Sequence, residues 1–67
     1  MSALYEVSFT MDYATIIVGI EHENDNETEI ISAADTLIRE DLGLTYSVTD
    51  RATDIRVEYQ HTVEVSA

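Results

Sequence analysis

Towards the end of the chain, Ile55, Val57, Tyr59, His61, Val63 and Val65 alternate with Arg56, Glu58, Gln60, Thr62 and Glu64. Successive strand residues point to opposite faces, so an alternation this long predicts a strand over 55–65 with one apolar face that needs a cover. The same period appears near the start. Over residues 4–11, Tyr5, Val7, Phe9 and Met11 share one side, and Glu6, Ser8 and Thr10 share the other. A β-rich run over 14–20 follows. It puts Ala14, Ile16, Val18 and Ile20 on one face, and only Ile17 breaks the polar side. These two runs predict a hairpin around Asp12 and Tyr13, although the tip lacks the Asn-Gly or Asp-Gly pair that would fix its turn type.

Between the alternating segments the period changes. Residues 21–26 are polar and read as a loop that ends in a helix start. Asn26 can accept from an early helical N–H while Glu29, three residues on, reaches back, as in a capping box. Glu27 and Glu29 also favour the positive end of the helix dipole. Ile30, Ala34, Leu37, Ile38 and Leu42 then form one stripe at helical spacing, and Gly43 supplies a left-handed stop. After it, residues 44–49 form a short candidate strand holding Tyr46 and Val48, and residues 50–54 form a polar turn. The expected class is α+β: one domain over 1–67, a small antiparallel sheet in the order β-β-α-β-β, covered on one face by a single helix.

Size limits what can hold such a fold together. A chain of 67 residues buries a small share of its surface, and with no cysteine it has neither disulfides nor thiolate metal sites to compensate. Packing must supply the stability, with help from a partner or a second copy. The apolar residues, 45% of the total, fall in short patterned runs, which argues against disorder despite the charge. No apolar run approaches the roughly 18 residues needed to cross a bilayer. The N-terminus Met1-Ser2-Ala3-Leu4 lacks the basic and apolar regions of a signal peptide. The expected compartment is the cytoplasm, with no membrane partner.

Charge narrows the partners further. Fourteen acids face only Arg39, Arg51 and Arg56, and the net charge is −11. Such a field repels nucleic acid and anionic membranes and attracts basic proteins and cations. Direct nucleic-acid binding is therefore not expected.

Few residue groups suggest chemistry. Residues 21–29 hold the densest set of oxygen ligands and His22, a composition that hard cations tolerate. The spacing specifies no site: the position of the sharp glycine in a calcium loop is filled by Asn26, where a helix already begins. His22 is expected to be exposed in the acidic loop. His61 has the parity of the apolar face of the last strand and reads as a core or edge residue. Gly19 and Gly43 stand alone, so no phosphate loop is present, and there is no nucleophile elbow. The chain is expected to be no enzyme, with no catalytic residue, metal or cofactor.

The expected binding surface comprises Glu21, Glu23, Asp25, Glu27 and Glu29, continued along the helix by Asp35 and Glu40, all taken as exposed. Alternate residues of an extended segment lie roughly 6.6 Å apart, so the acids of 21–29 would present regular negative charges on the scale of successive phosphates. In size, charge and lack of catalytic motifs, the chain resembles the small acidic proteins that bacteriophages make to block host DNA-binding proteins. The resemblance is one of composition and transfers no residue. It implies a viral protein that mimics DNA and occupies a basic host protein. The competing explanation is a small structural or regulatory homo-oligomer whose acidity reflects a high-salt environment, although seven isoleucines weaken the likeness to proteins of salt-loving organisms. In either case a homodimer or higher oligomer is expected, with the 55–65 strand pairing between copies and Glu58 and Glu64 limiting further growth.

Overall fold

The computed structural model describes residues 2–63. Strand β1 (Ser2–Thr10) and strand β2 (Thr15–His22) form the expected hairpin, helix α1 (Glu27–Leu42) follows, and strand β3 (Asp54–Val63) returns to the sheet. The sheet is antiparallel with order β2-β1-β3, so the first strand lies in the centre and both later strands are edges. Residues 11–14 connect the hairpin, closed by the Met11 N–H donating to the Ala14 carbonyl at 2.8 Å. No non-glycine residue among those described has a positive φ, so this connection is not a primed two-residue turn.

Register arranges the inner face of the sheet in rows. Phe9 lies between Ile16 and Ile55, Val7 between Val18 and Val57, and Tyr5 between Ile20 and Tyr59. On this face α1 lays Ile30, Ala34 and Ile38, all buried. Phe9, Ile30, Val7 and Val48 are fully enclosed. Each such side chain contributes about 1.5–3 kcal/mol relative to exposure, and they form the centre of a core with no disulfide to assist it.

The helix ends are fixed locally, but only half of the expected capping box forms. Asn26 Oδ1 accepts from the Glu29 N–H at 3.2 Å, whereas the Asn26 N–H donates to Asn24 Oδ1 and the Glu29 carboxylate faces His22 instead of reaching back. Gly43 has φ 66°, and its N–H donates to the Arg39 carbonyl. The apolar stripe divides: Ile30, Ala34 and Ile38 are buried, whereas Leu37 and Leu42 remain 44% and 58% exposed. They project beside β2, where no further strand among the described residues covers them.

The fold class holds as α+β, but the expected fourth strand does not form. Where residues 44–49 were expected to extend, the chain makes a loop and then a short helix, α2 (Val48–Arg51), which also takes up part of the expected polar turn. The cause is nonlocal. The carboxylate of Asp35 accepts from the N–H groups of Val48 (2.6 Å) and Thr49 (3.3 Å) and from the Ser47 hydroxyl (3.1 Å). These contacts occupy donors that a strand would need for its ladder, and they drive Val48 into the core. Tyr46 turns instead toward Arg51, whose guanidinium lies 4.8 Å from the ring centroid. Beyond α2, Thr53 donates from both its N–H (2.7 Å) and its hydroxyl (3.0 Å) to the Thr10 carbonyl, which leads the chain into β3.

The last strand also departs from simple alternation. Tyr5 pairs with Tyr59 but Leu4 pairs with His61, leaving Gln60 as the extra residue of a β-bulge. A bulge reverses the parity of everything after it. His61 therefore lies exposed on the outer face with Leu4, not on the apolar face that its parity implied. The expected continuation through Glu64 and Val65 lies outside the described residues.

Candidate acidic surface

The acids expected to form one surface are spread over several elements. Glu21 stands on the outer face near the end of β2, where its carboxylate accepts from the Ser2 hydroxyl at 2.8 Å. Glu23 and Asp25 are exposed in the loop that follows. That loop is shaped by Asn24, whose side-chain carbonyl accepts from the Asn26 N–H at 2.9 Å. Glu27 and Glu29 occupy the first turn of α1. Two positions apart on a helix is about 200° of rotation, so these two carboxylates diverge. The even, phosphate-like spacing expected across 21–29 is therefore not maintained, because only its first part is extended.

The structure does bring one subset together. Glu29 and Glu40 lie on the same side of α1, separated by Ser32 and Thr36, and His22 from the end of β2 packs beside Glu29. Glu29 and Glu40 are eleven residues apart, or about 16 Å along the axis. The His22 Nε2 lies 3.4 Å from a Glu29 carboxylate oxygen, close enough for an ion pair when the imidazole is protonated. This histidine is half-buried against the helix, a correction to its expected place in an exposed loop.

Asp35 is the second correction. It was expected to extend the acidic face, yet it is only 8% exposed and its oxygens are taken by Ser47, Val48 and Thr49. Residue 35 falls one position after Ala34 and so turns toward α2, which the helical stripe alone could not reveal. Its role is to hold α2 against α1.

Another set of acids lies on the sheet face away from α1. Glu6 and Glu58 are directly opposed across β1 and β3, and Asp54 precedes them on the same face. Their polar parity was legible in the alternation, but their juxtaposition required the register. The three arginines are each engaged within the chain: Arg39 approaches Asp35 at 3.9 Å, Arg56 binds Asp54 at 3.0 Å, and Arg51 stacks on Tyr46. Apart from Glu29, which faces His22, the other carboxylates among the described residues have no cationic side chain paired with them. No group of three or more His, Asp or Glu among the described residues is arranged to hold a metal ion. No helix among the described residues is long and apolar enough to cross a membrane.

The chain matches no family model, no curated protein and no solved structure.

Proposed function

We propose that this protein is a non-enzymatic interaction module that binds a basic protein through the acids at the His22 end of α1 and along its exposed side. The observation carrying this reading is the engagement of all three arginines within the chain, which leaves Glu23, Asp25, Glu27 and Glu40 exposed without an internal counter-charge and Glu29 beside His22 alone. Such a surface steers a basic partner by long-range attraction and discriminates against acidic ones. The target class is a nucleic-acid-binding protein in the cytoplasm, possessing a groove that DNA otherwise fills. This agrees with the compositional resemblance to phage-encoded inhibitors.

The test is capture from a lysate of the source organism at physiological salt, with and without competing duplex DNA. The retained protein is expected to be basic, to be displaced by DNA, and to be lost when Glu29→Lys and Glu40→Lys are combined. Undiminished capture by that double variant removes this surface from the reading.

One observation favours a second reading. Acids also occupy the outer sheet face at Glu6, Glu58 and Asp54, so charge is distributed widely over the chain. On that reading the acidity serves solubility in a high-salt environment, no basic partner is captured, and function resides in the assembled oligomer. Under either reading the chain acts as a homodimer or higher oligomer, since among the described residues β2 and β3 both end the sheet with unpaired edges.

A further inference from the structure

We propose that two copies of this chain associate through the free edge of β2, antiparallel and with Val18 on the two-fold axis, so that their sheets become continuous. The inference rests on the self-association just described and assigns it to β2 in place of the longer strand β3.

Backbone geometry gives the first argument. The Met11 N–H bonded to the Ala14 carbonyl marks a hydrogen-bonded pair. Alternation along an antiparallel ladder then turns the peptide groups of Ile16, Val18 and Ile20 toward β1. Those of Thr15, Ile17, Gly19 and Glu21 point away from β1, where no strand among the described residues receives them. With Val18 on the axis, these outward residues meet one another, Ile17 with Gly19 and Thr15 with Glu21. A one-residue slip would oppose outward groups to inward ones.

Side chains are self-complementary in the same register. On the outer face, Ile17, 59% exposed, comes opposite Gly19, which has no side chain to obstruct it. A Cβ added at Gly19 would meet only Leu4, at 3.6 Å, leaving the space above it open to a neighbour. On the inner face, Ile16 comes opposite Ile20 and Val18 opposite itself. Leu37, Ile38 and Leu42 of α1 line the adjoining groove with Ile16, Ile17 and Val18, extending the apolar surface beyond the strand, with Asp41 the one acid in that lining.

Charge selects a second copy as the occupant. A symmetric contact brings each residue near its own kind, so on a chain of net charge −11 most faces would oppose carboxylate to carboxylate. No charged residue occurs between Asp12 and Glu21. Glu21 meets the Thr15 hydroxyl, which can donate to it. A basic partner would find no carboxylate to neutralise along this stretch. The β3 edge is less suited, because Asp54, Arg56 and Glu58 stand along it and the bulge at Gln60 bends it.

The natural chain contains no cysteine, so a single introduced thiol reports one position without ambiguity. Val18 on the axis would form a non-hydrogen-bonded pair with Cα atoms about 4.5 Å apart, within disulfide range. Val18→Cys is expected to oxidise to a covalent dimer at least about tenfold faster than Gln60→Cys on the β3 edge, because only a pre-associated pair holds its sulfurs in reach. Ile17→Glu places a carboxylate beside the partner's Glu21 while touching no core residue. Circular dichroism should report an intact fold, and sedimentation should show dimer dissociation raised by about tenfold or more, equivalent to roughly 1.4 kcal/mol. A chain that stays monomeric to high micromolar concentration overturns both self-association and this assignment. A dimer that survives Ile17→Glu and cross-links through Gln60→Cys overturns the assignment to β2 and leaves self-association standing.

Discussion

The Asp35 carboxylate on α1 accepts the Val48 N–H at 2.6 Å, a buried contact across thirteen residues of sequence that fixes α2 against the main helix. Asp35→Ala would leave the N–H groups of Val48 and Thr49 without this acceptor. A hydrogen bond to a charged group contributes about 1.5–3 kcal/mol, and an orphaned buried donor adds to the loss. Urea denaturation should show a loss of about 2–4 kcal/mol for Asp35→Ala and less for Asp35→Asn, which keeps an acceptor. Glu40→Gln should stay within about 0.5 kcal/mol of the natural chain. Equal effects at 35 and 40 would contradict the structural role of Asp35.

Gly43 ends α1 at φ 66°, and a Cβ there would touch nothing within 4 Å. The cost of Gly43→Ala is therefore one of backbone conformation alone, about 1–2 kcal/mol. Thermal unfolding followed at a helix-sensitive wavelength should shift to lower temperature. An unchanged midpoint would mean that the residue leaves the left-handed region without penalty.

Glu6 and Glu58 oppose one another across β1 and β3. Like charges in this position destabilise a sheet, whereas opposite charges contribute about 0.2–1 kcal/mol. Glu58→Lys is expected to raise stability by up to about 1 kcal/mol. The gain should shrink in high salt, where the pair is screened. A loss of stability at low salt would show that the two side chains do not sense each other.

Phe9 is fully enclosed in the central strand between Ile16 and Ile55. Removing a buried aromatic side chain costs about 3–5 kcal/mol, comparable to the whole stability of so small a domain. Phe9→Ala should be largely unfolded at 25 °C by circular dichroism. Ile17→Ala, on the outer face, should remain folded.

Elements written in local pattern were legible in the sequence. The hairpin strands, α1, the Asn26 cap and the Gly43 stop each depend on neighbours a few residues away. Glu23, Asp25, Glu27, Glu29 and Glu40 were likewise recognisable as exposed acids, because they fall outside the apolar stripes. Residues 44–49 misled because Tyr46 and Val48 mimic strand alternation over a segment too short to exclude other conformations. Asp35 misled because an acid beside an apolar stripe looks solvated unless the donors it meets are known.

The sequence by itself determined the α+β class, the approximate places of three strands, both ends of α1, and a strongly acidic composition, since periodicity, capping and composition act locally or simply add. Tertiary structure decided which acid is buried, which segment became α2 instead of a fourth strand, and on which face His61 lies. Each of these depends on a partner distant in the chain. Asp35 meets Val48 only after the chain has turned at Gly43, and the bulge at Gln60 exists only in register with β1.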